Sequence, residues 1–224
     1  MKKFVLLMIL LSASAGISFG QKVVHLDRYA ADNAALPSAK GERVVLLGDS
    51  ITDGWASSRG DFFRETGFIG RGISGEVTAQ MLLRFRADVL DIGATTVVIL
   101  AGINDIARNL GDEYSEDATL GNLQSMVELA RVHSVRPVLC SLLPSTRFFW
   151  RTEITDVFEK VVSLNARIKA YCAAQDILYV DYFTLLAGPD GPILPDYAPD
   201  TVHPNAAGYA RMECFLLECL KKNN

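Results

Sequence analysis

The sequence predicts an α/β fold of three layers, with five parallel strands between two sets of helices. Two observations carry this. Short runs of branched apolar residues recur along the chain, too short for helices and without the alternation of a half-exposed strand, as strands buried on both faces require. Between them lie segments whose apolar residues step by three and four, the period of a helix lying on a core. Strands alternating with helices give right-handed βαβ units and a single parallel sheet. The 224 residues are 50% hydrophobic and contain no repeat or long polar tract, which suits one domain with a substantial core.

Residues 1–20 stand apart from that domain. Lys2 and Lys3 precede the apolar run Phe4 to Leu11, and small residues follow to Gly20. This is the layout of a secretory signal peptide. The alternative, a membrane anchor, needs about 20 apolar residues, which the run does not reach. The expectation is an exported chain, periplasmic or extracellular, cleaved after Ala15 or Gly20 and not stably inserted in a membrane. No cysteine lies near the cleavage region, so a lipid anchor is not expected. Residues 21–42 read as a polar, irregular N-terminal arm, and residues 43–224 as the domain.

The first strand, from Val44, stops at Gly48-Asp49-Ser50, where small and polar residues force a turn at its carboxyl end. Open α/β sheets bind ligands at that edge, so Ser50 would present its hydroxyl there; the alternative is that Ser50 simply caps a helix. A short helix fits 61–65 and a second strand 68–73. Helical periodicity then carries Met81, Leu82, Phe85, Val89 and Leu90. Residues 96–101 are a third strand closed by Gly102-Ile103-Asn104-Asp105, and a helix over 117–133 follows. Residues 137–143 are the fourth strand, 153–175 a helix and 177–181 the fifth strand. A loop rich in Pro and Gly spans 188–202, and Pro204 opens the last helix, at a position proline favours.

Without the leader, about 20 basic residues face 26 acidic ones, a net charge of about −6 with no basic run, so no footprint for nucleic acid is present. Cys140, Cys172, Cys214 and Cys219 form no CxxC pair, so neither a zinc knuckle nor a redox motif is indicated. Buried free thiols are expected, with a pairing of Cys172 to the last helix left open.

Histidine is scarce enough for elimination. Of three, His25 lies in the arm and His133 precedes the fourth strand, at the wrong end of the sheet. His203 follows the fifth strand on the ligand edge and is the one positioned to act as general base to Ser50. Asp200, three residues earlier, is placed to orient its imidazole; Asp49 is the other acid that could do so, but adjacent strand residues point to opposite faces, so Asp49 is expected to hold neighbouring turns by hydrogen bonds. Alternatively, 200–204 is only a capped helix entry. A serine nucleophile also needs donors for a developing oxyanion, and the same edge offers the N–H of Ser50, the N–H of Gly75 and the amide of Asn104. Gly75 would let the backbone approach closely.

Gly48-Asp49-Ser50-Ile51, Gly72-Ile73-Ser74-Gly75, Gly102-Ile103-Asn104-Asp105 and Asp200-Thr201-Val202-His203-Pro204 together resemble the four blocks of the GDSL, or SGNH, hydrolases, over about residues 43–220. The resemblance implies a flavodoxin-like sheet and an ester-hydrolysing site carried by Ser50, Gly75, Asn104, Asp200 and His203, with no metal or organic cofactor. Ile51 stands where the family name has Leu, and Ile103 where many members have a small residue. The expected activity is a secreted serine esterase acting on short, first of all acetyl, esters of small molecules or carbohydrates. Lysophospholipids, platelet-activating-factor-like lipids and acyl thioesters remain alternatives. So does a non-catalytic binding module of the same fold. A nucleotide binder lacks its glycine-rich motif. After the fourth strand, Phe148-Phe149-Trp150 cannot all face the core, because consecutive side chains diverge. Phe149 or Trp150 would then wall the substrate site, with Arg147 or Arg151 on a polar leaving group; the alternative is that all three pack beneath the loop or at a dimer contact.

Overall fold

Five strands, β1 (Val44–Gly48), β2 (Ile69–Gly72), β3 (Thr96–Leu100), β4 (Arg136–Cys140) and β5 (Leu178–Val180), pair in parallel in the order β2-β1-β3-β4-β5. The computed structural model describes residues 25–222 other than 40 and 112; the signal peptide expected over residues 1–20 and its expected cleavage positions lie outside them. Every residue of β1 and of β3 is buried, as their uninterrupted apolar runs require of strands covered on both faces. The strand order reverses between β1 and β3, and a parallel sheet opens its ligand crevice at such a switch point, beyond the carboxyl ends. Ser50 follows β1 and Asn104 follows β3, so the two flank that crevice. This is the flavodoxin-like α/β fold expected.

The helices are α1 (Ala30–Ala35), α2 (Ser50–Ser58), α3 (Gly60–Thr66), α4 (Thr78–Phe85), α5 (Ile103–Ile106), α6 (Glu116–Val132), α7 (Val157–Gln175), α8 (Tyr182–Leu186) and α9 (Ala206–Lys222). Among the described residues none is long and apolar enough to cross a membrane. Helix α4 widens into a π-helical turn, Arg86–Leu90, which buries Asp88 together with Val89.

Several boundaries differ from the sequence reading for identifiable reasons. The arm is not irregular: α1 sits against the edge strand, where the Tyr29 hydroxyl donates to Gly72 O and Asn33 Oδ1 accepts from Arg71 Nε (2.9 Å). The fourth strand ends at Cys140, because the Leu142 backbone turns away to bond both ends of the Asn165 amide (2.8 and 3.0 Å). The helix expected from 153 starts at Val157. Pro204 does not open α9. Asn205 Oδ1 accepts from Ala207 N and Gly208 N (2.9 and 3.1 Å), so the amide cap fixes the start one residue after itself. Cys140, Cys172 and Cys214 are free thiols, but only Cys140 and Cys172 are buried; Cys214 is exposed.

The least expected core residue is Arg84, fully buried within the apolar face of α4. It donates to Glu76 Oε2 (2.6 Å), Asp88 Oδ2 (2.9 Å), Gly48 O and Arg71 O (both 3.0 Å). A buried cation is tolerable only when paired and hydrogen-bonded in this way. Arg84→Met keeps much of the volume but strands two buried carboxylates, so a loss of about 3–5 kcal/mol in unfolding free energy is expected. Urea denaturation measures it, and a loss below about 1 kcal/mol would show that the cluster is not the anchor inferred.

Candidate active site

The turn after β1 is held too tightly to admit larger residues. A Cβ at Gly72 would lie 2.1 Å from Asp53 N, so β2 and the first turn of α2 are in direct backbone contact. Asp49, not Ser50, caps α2, its Oδ1 accepting from Ile51 N at 2.9 Å. Ser50 is the first helical residue, half-buried. That placement leaves its hydroxyl outside the helix's own hydrogen bonding.

Across the crevice, Ser50 Oγ lies 2.8 Å from His203 Nε2, and His203 Nδ1 lies 2.7 Å from Asp200 Oδ2. A carboxylate only accepts, so Nδ1 carries the imidazole proton and Nε2 is left to accept from the serine hydroxyl. Asp200 Oδ1 is occupied by Val202 N (2.9 Å) and His203 N (2.7 Å), which locks the carboxylate and the histidine into one turn. Burial works against the charged form of Asp200, yet the hydrogen bonds from His203 and Val202 outweigh it and hold the carboxyl below its ordinary value. Thr201 adopts a left-handed φ of +71°, costly for a β-branched residue. Its hydroxyl is bonded to Arg147 O at 3.0 Å, which ties this turn to the loop after β4.

The other loops bring the expected donors to the same edge. Gly75 has φ +83°, and a Cβ there would meet nothing nearer than 3.9 Å. Its glycine is therefore required by backbone conformation. Asn104, 2% exposed, donates from Nδ2 to Glu76 O at 3.0 Å and accepts on Oδ1 from Asn109 Nδ2 at 2.9 Å. Asp105 accepts from Thr78 N and Thr78 Oγ1 (3.0 and 2.6 Å), fastening the loop after β3 to α4. Burial raises its carboxyl above the ordinary value in spite of those bonds.

The three aromatics diverge as stereochemistry demands. Phe148 is in the core, Phe149 is 67% exposed, and Trp150 is half-buried with its ring 6.1 Å from that of His203. Phe149 stands edge-on to Trp150 at 4.8 Å. Arg147 is exposed and bonds none of the Ser50, His203 or Asp200 side chains. Arg151 is occupied by Arg108 O (3.0 Å) and Glu153. His133 is exposed beside Arg86, on the helix that precedes β4 and so at the other end of the sheet. Among the described residues no three His, Cys, Asp or Glu side chains converge to hold a metal ion. Asn109 was missed by sequence reasoning; the signal available was a second amide five residues beyond Asn104.

A family model, that of the GDSL-like lipase/acylhydrolase family, matches residues 46–211. The chain belongs to this family. A GDSL-like lipase from Bacteroides thetaiotaomicron VPI-5482 is 44% identical and superposes with a TM-score of 0.86, over 90% of this chain and 99% of that one. The acetylxylan esterase Axe2 from Geobacillus stearothermophilus superposes at 0.66 with 20% identity, covering 82% of this chain and 96% of its own; that likeness is one of fold. The uncharacterized lipoprotein YqeF of Bacillus subtilis strain 168 is 30% identical over 119 residues, 46% of this chain. The match spans about half of that relative, 49% of its length.

In this GDSL-like hydrolase the Asp of the first block has its own environment. Asp49 is 1% exposed, and its Oδ2 is buried without a hydrogen-bond partner. Burial, against the pull of the Ile51 N–H and of His203, lifts its carboxyl to about 7. The folded chain therefore binds this proton more tightly than the unfolded chain, and the associated stability is lost as pH rises from about 4 towards 7. Asp49→Asn removes that titration. Its melting temperature relative to the wild type is expected to rise across this window, and a flat difference between pH 4 and pH 8 would contradict the assignment.

Proposed function

We propose that this GDSL-family hydrolase is an exported serine esterase that cleaves short, first of all acetyl, esters, with carbohydrate esters as the leading substrate class. The observation that carries the reading is the continuous chain from Ser50 Oγ to His203 Nε2 (2.8 Å) and from His203 Nδ1 to Asp200 Oδ2 (2.7 Å). Ser50 Oγ attacks the ester carbonyl as His203 Nε2 takes its proton. Asp200 stabilises the imidazolium that forms. The carbonyl oxygen, now anionic, is met by the N–H groups of Ser50 and Gly75 and by the Asn104 amide. Collapse releases the alcohol, which takes the proton from His203 and leaves an acyl-serine. Water, deprotonated by the same imidazole, then frees the acid and restores Ser50.

The substrate class is supported by the Phe149–Trp150 wall beside His203. A sugar ring stacks on such a wall through its C–H faces. Arg147, exposed on the same loop, is placed to meet a polar leaving group. Export rests on Lys2, Lys3 and the apolar run that follows. The four cysteines lie at 140 and beyond, so the leader has no lipid-attachment thiol behind it.

Ser50→Ala and His203→Ala are expected to lower turnover of p-nitrophenyl acetate by about 10³-fold or more, whereas His133→Ala leaves it intact. An active His203→Ala enzyme would end the triad reading. For the substrate class, Phe149→Ala is the cleaner probe because Phe149 is 67% exposed, whereas Trp150 both faces His203 and bonds Asn109. It is expected to raise KM for an acetylated sugar more than for p-nitrophenyl acetate, with kcat little changed. Equal effects on both esters would remove the carbohydrate wall from the argument.

A further inference from the structure

We propose that Asn109 is a positioning residue of this reaction, holding the Asn104 amide in the one orientation that can donate to the oxyanion; the proposal rests on the esterase reading above. The two ends of an asparagine amide are alike in shape and opposite in polarity. A half-turn of Asn104 would present an oxygen lone pair to the developing negative charge. What prevents this is a chain of bonds whose direction is settled at both ends. Trp150 Nε1, which can only donate, faces Asn109 Oδ1 at 3.4 Å. Asn109 Nδ2 then donates to Gly75 O (3.2 Å), which can only accept, and to Asn104 Oδ1 (2.9 Å). Asn104 Nδ2 in turn donates to Glu76 O at 3.0 Å, and its second hydrogen has no partner among the described residues. An amide Nδ2 carries two hydrogens, so one remains for the oxyanion.

The backbone delivers Asn109 to this place by an unusual turn. Arg108 takes a left-handed φ of +56° directly after α5, its carbonyl is held by Arg151 Nη2 at 3.0 Å, and Asn109 N donates to Asn104 O at 3.1 Å. Asn109 thus meets Asn104 through both main chain and side chain, while also holding the carbonyl of Gly75, the residue that supplies another oxyanion donor. Without its side chain, Asn104 Oδ1 is a buried acceptor with no donor, a state the amide relieves by rotating or by admitting water. Asn109 itself does not touch the reacting atoms.

Steady-state kinetics on p-nitrophenyl acetate, with melting temperatures for every variant, test this. Asn109→Ala is expected to lower kcat about tenfold with KM within about twofold, the split of an interaction felt only in the transition state. Asn109→Asp keeps the shape and the acceptor for Trp150 but sets oxygens against Gly75 O and Asn104 Oδ1, and is expected to lose more. Asn104→Ala is expected to cost about 10²–10³ in kcat. In Asn104→Ala/Asn109→Ala the second substitution should add no more than about twofold, because the group through which Asn109 acts is gone. A merely structural Asn109 would give multiplying losses instead. Unchanged kcat in both Asn109 variants, or a double variant whose losses multiply, overturns the proposal. If Asn109→Ala does not fold, Asn109→Asp alone and combined with Asn104→Ala decides by the same criterion. A wild-type protein inert towards esters, or a fully active Ser50→Ala, sinks the esterase reading itself. An active wild type with an inactive Ser50→Ala leaves the Asn109 result to stand alone.

Discussion

The Arg84 guanidinium is the interaction on which the geometry of the site depends. It reaches from α4 under the carboxyl ends of β1 and β2 and donates to Gly48 O and Arg71 O. Those carbonyls belong to the last turns of strand before Asp49 and Gly75. Its other donors hold Glu76 and Asp88, and the Glu76 carbonyl is the acceptor that orients Asn104. One buried cation therefore couples the serine turn to the other two candidate oxyanion loops. Burial raises the Glu76 carboxyl even against Arg84's charge, a measure of how costly the cluster is to desolvate. A hydrophobic residue could fill the volume, but not gather backbone carbonyls from two strands at one point.

A second clamp closes the distance between Ser50 and His203, 153 residues apart in sequence. Helix α2 begins at Ser50 and α9 follows His203, and the two are joined below the site. Tyr209 stacks on Trp55 at 5.6 Å and its hydroxyl donates to Ile51 O at 2.8 Å. Glu213, nearly buried, accepts from Trp55 Nε1 and from Arg59 Nε and Nη2. A bidentate guanidinium pair adds directional constraint that a single contact lacks. The helix carrying the serine is thus registered against the helix that follows the histidine before any substrate binds, which is the condition for a hydrogen bond of fixed length across a crevice.

Legibility in the sequence divides along the same lines. Strands β1 and β3 were readable because each is a local run of branched apolar residues with no competing period, whereas β2, Ile69-Gly70-Arg71-Gly72, was legible only from its place between turn and helix. That Ser50, His203 and Asp200 meet at one edge was foreseeable because a parallel sheet has one ligand edge and only one of the three histidines follows a strand onto it. Helix α2 was not, and Gly54 within it explains why: glycine weakens a helix, yet a Cβ there would lie 2.9 Å from the Tyr209 hydroxyl. Tertiary packing requires the residue that local propensity disfavours. Arg84 was hidden for a related reason, since a charged residue on an apolar helical face reads as a solvated edge until its partners from distant strands are known. At Gly75 the structure adds a reason of its own, a positive φ, which leaves the same trace in sequence as a close approach. The role of Asn109 depends on a turn through a left-handed arginine, which no local pattern announces.

Of two carboxylates in this region, only Asp200 bonds the His203 ring. Asp200 is a third exposed, receives two backbone N–H groups on one oxygen and faces Nδ1 with the other, so its charge is stabilised where it stands. Asp49 lies adjacent to the serine but points into the core, with a single backbone donor and one oxygen unpartnered. Its charged form is disfavoured by the same burial that lets it cap α2. The direction of the ring is set by its 2.7 Å bond to Asp200, while Asp49 is committed to the cap of α2. The burial beneath Ser50 and the start of the helix that carries it therefore belong to one short stretch of chain.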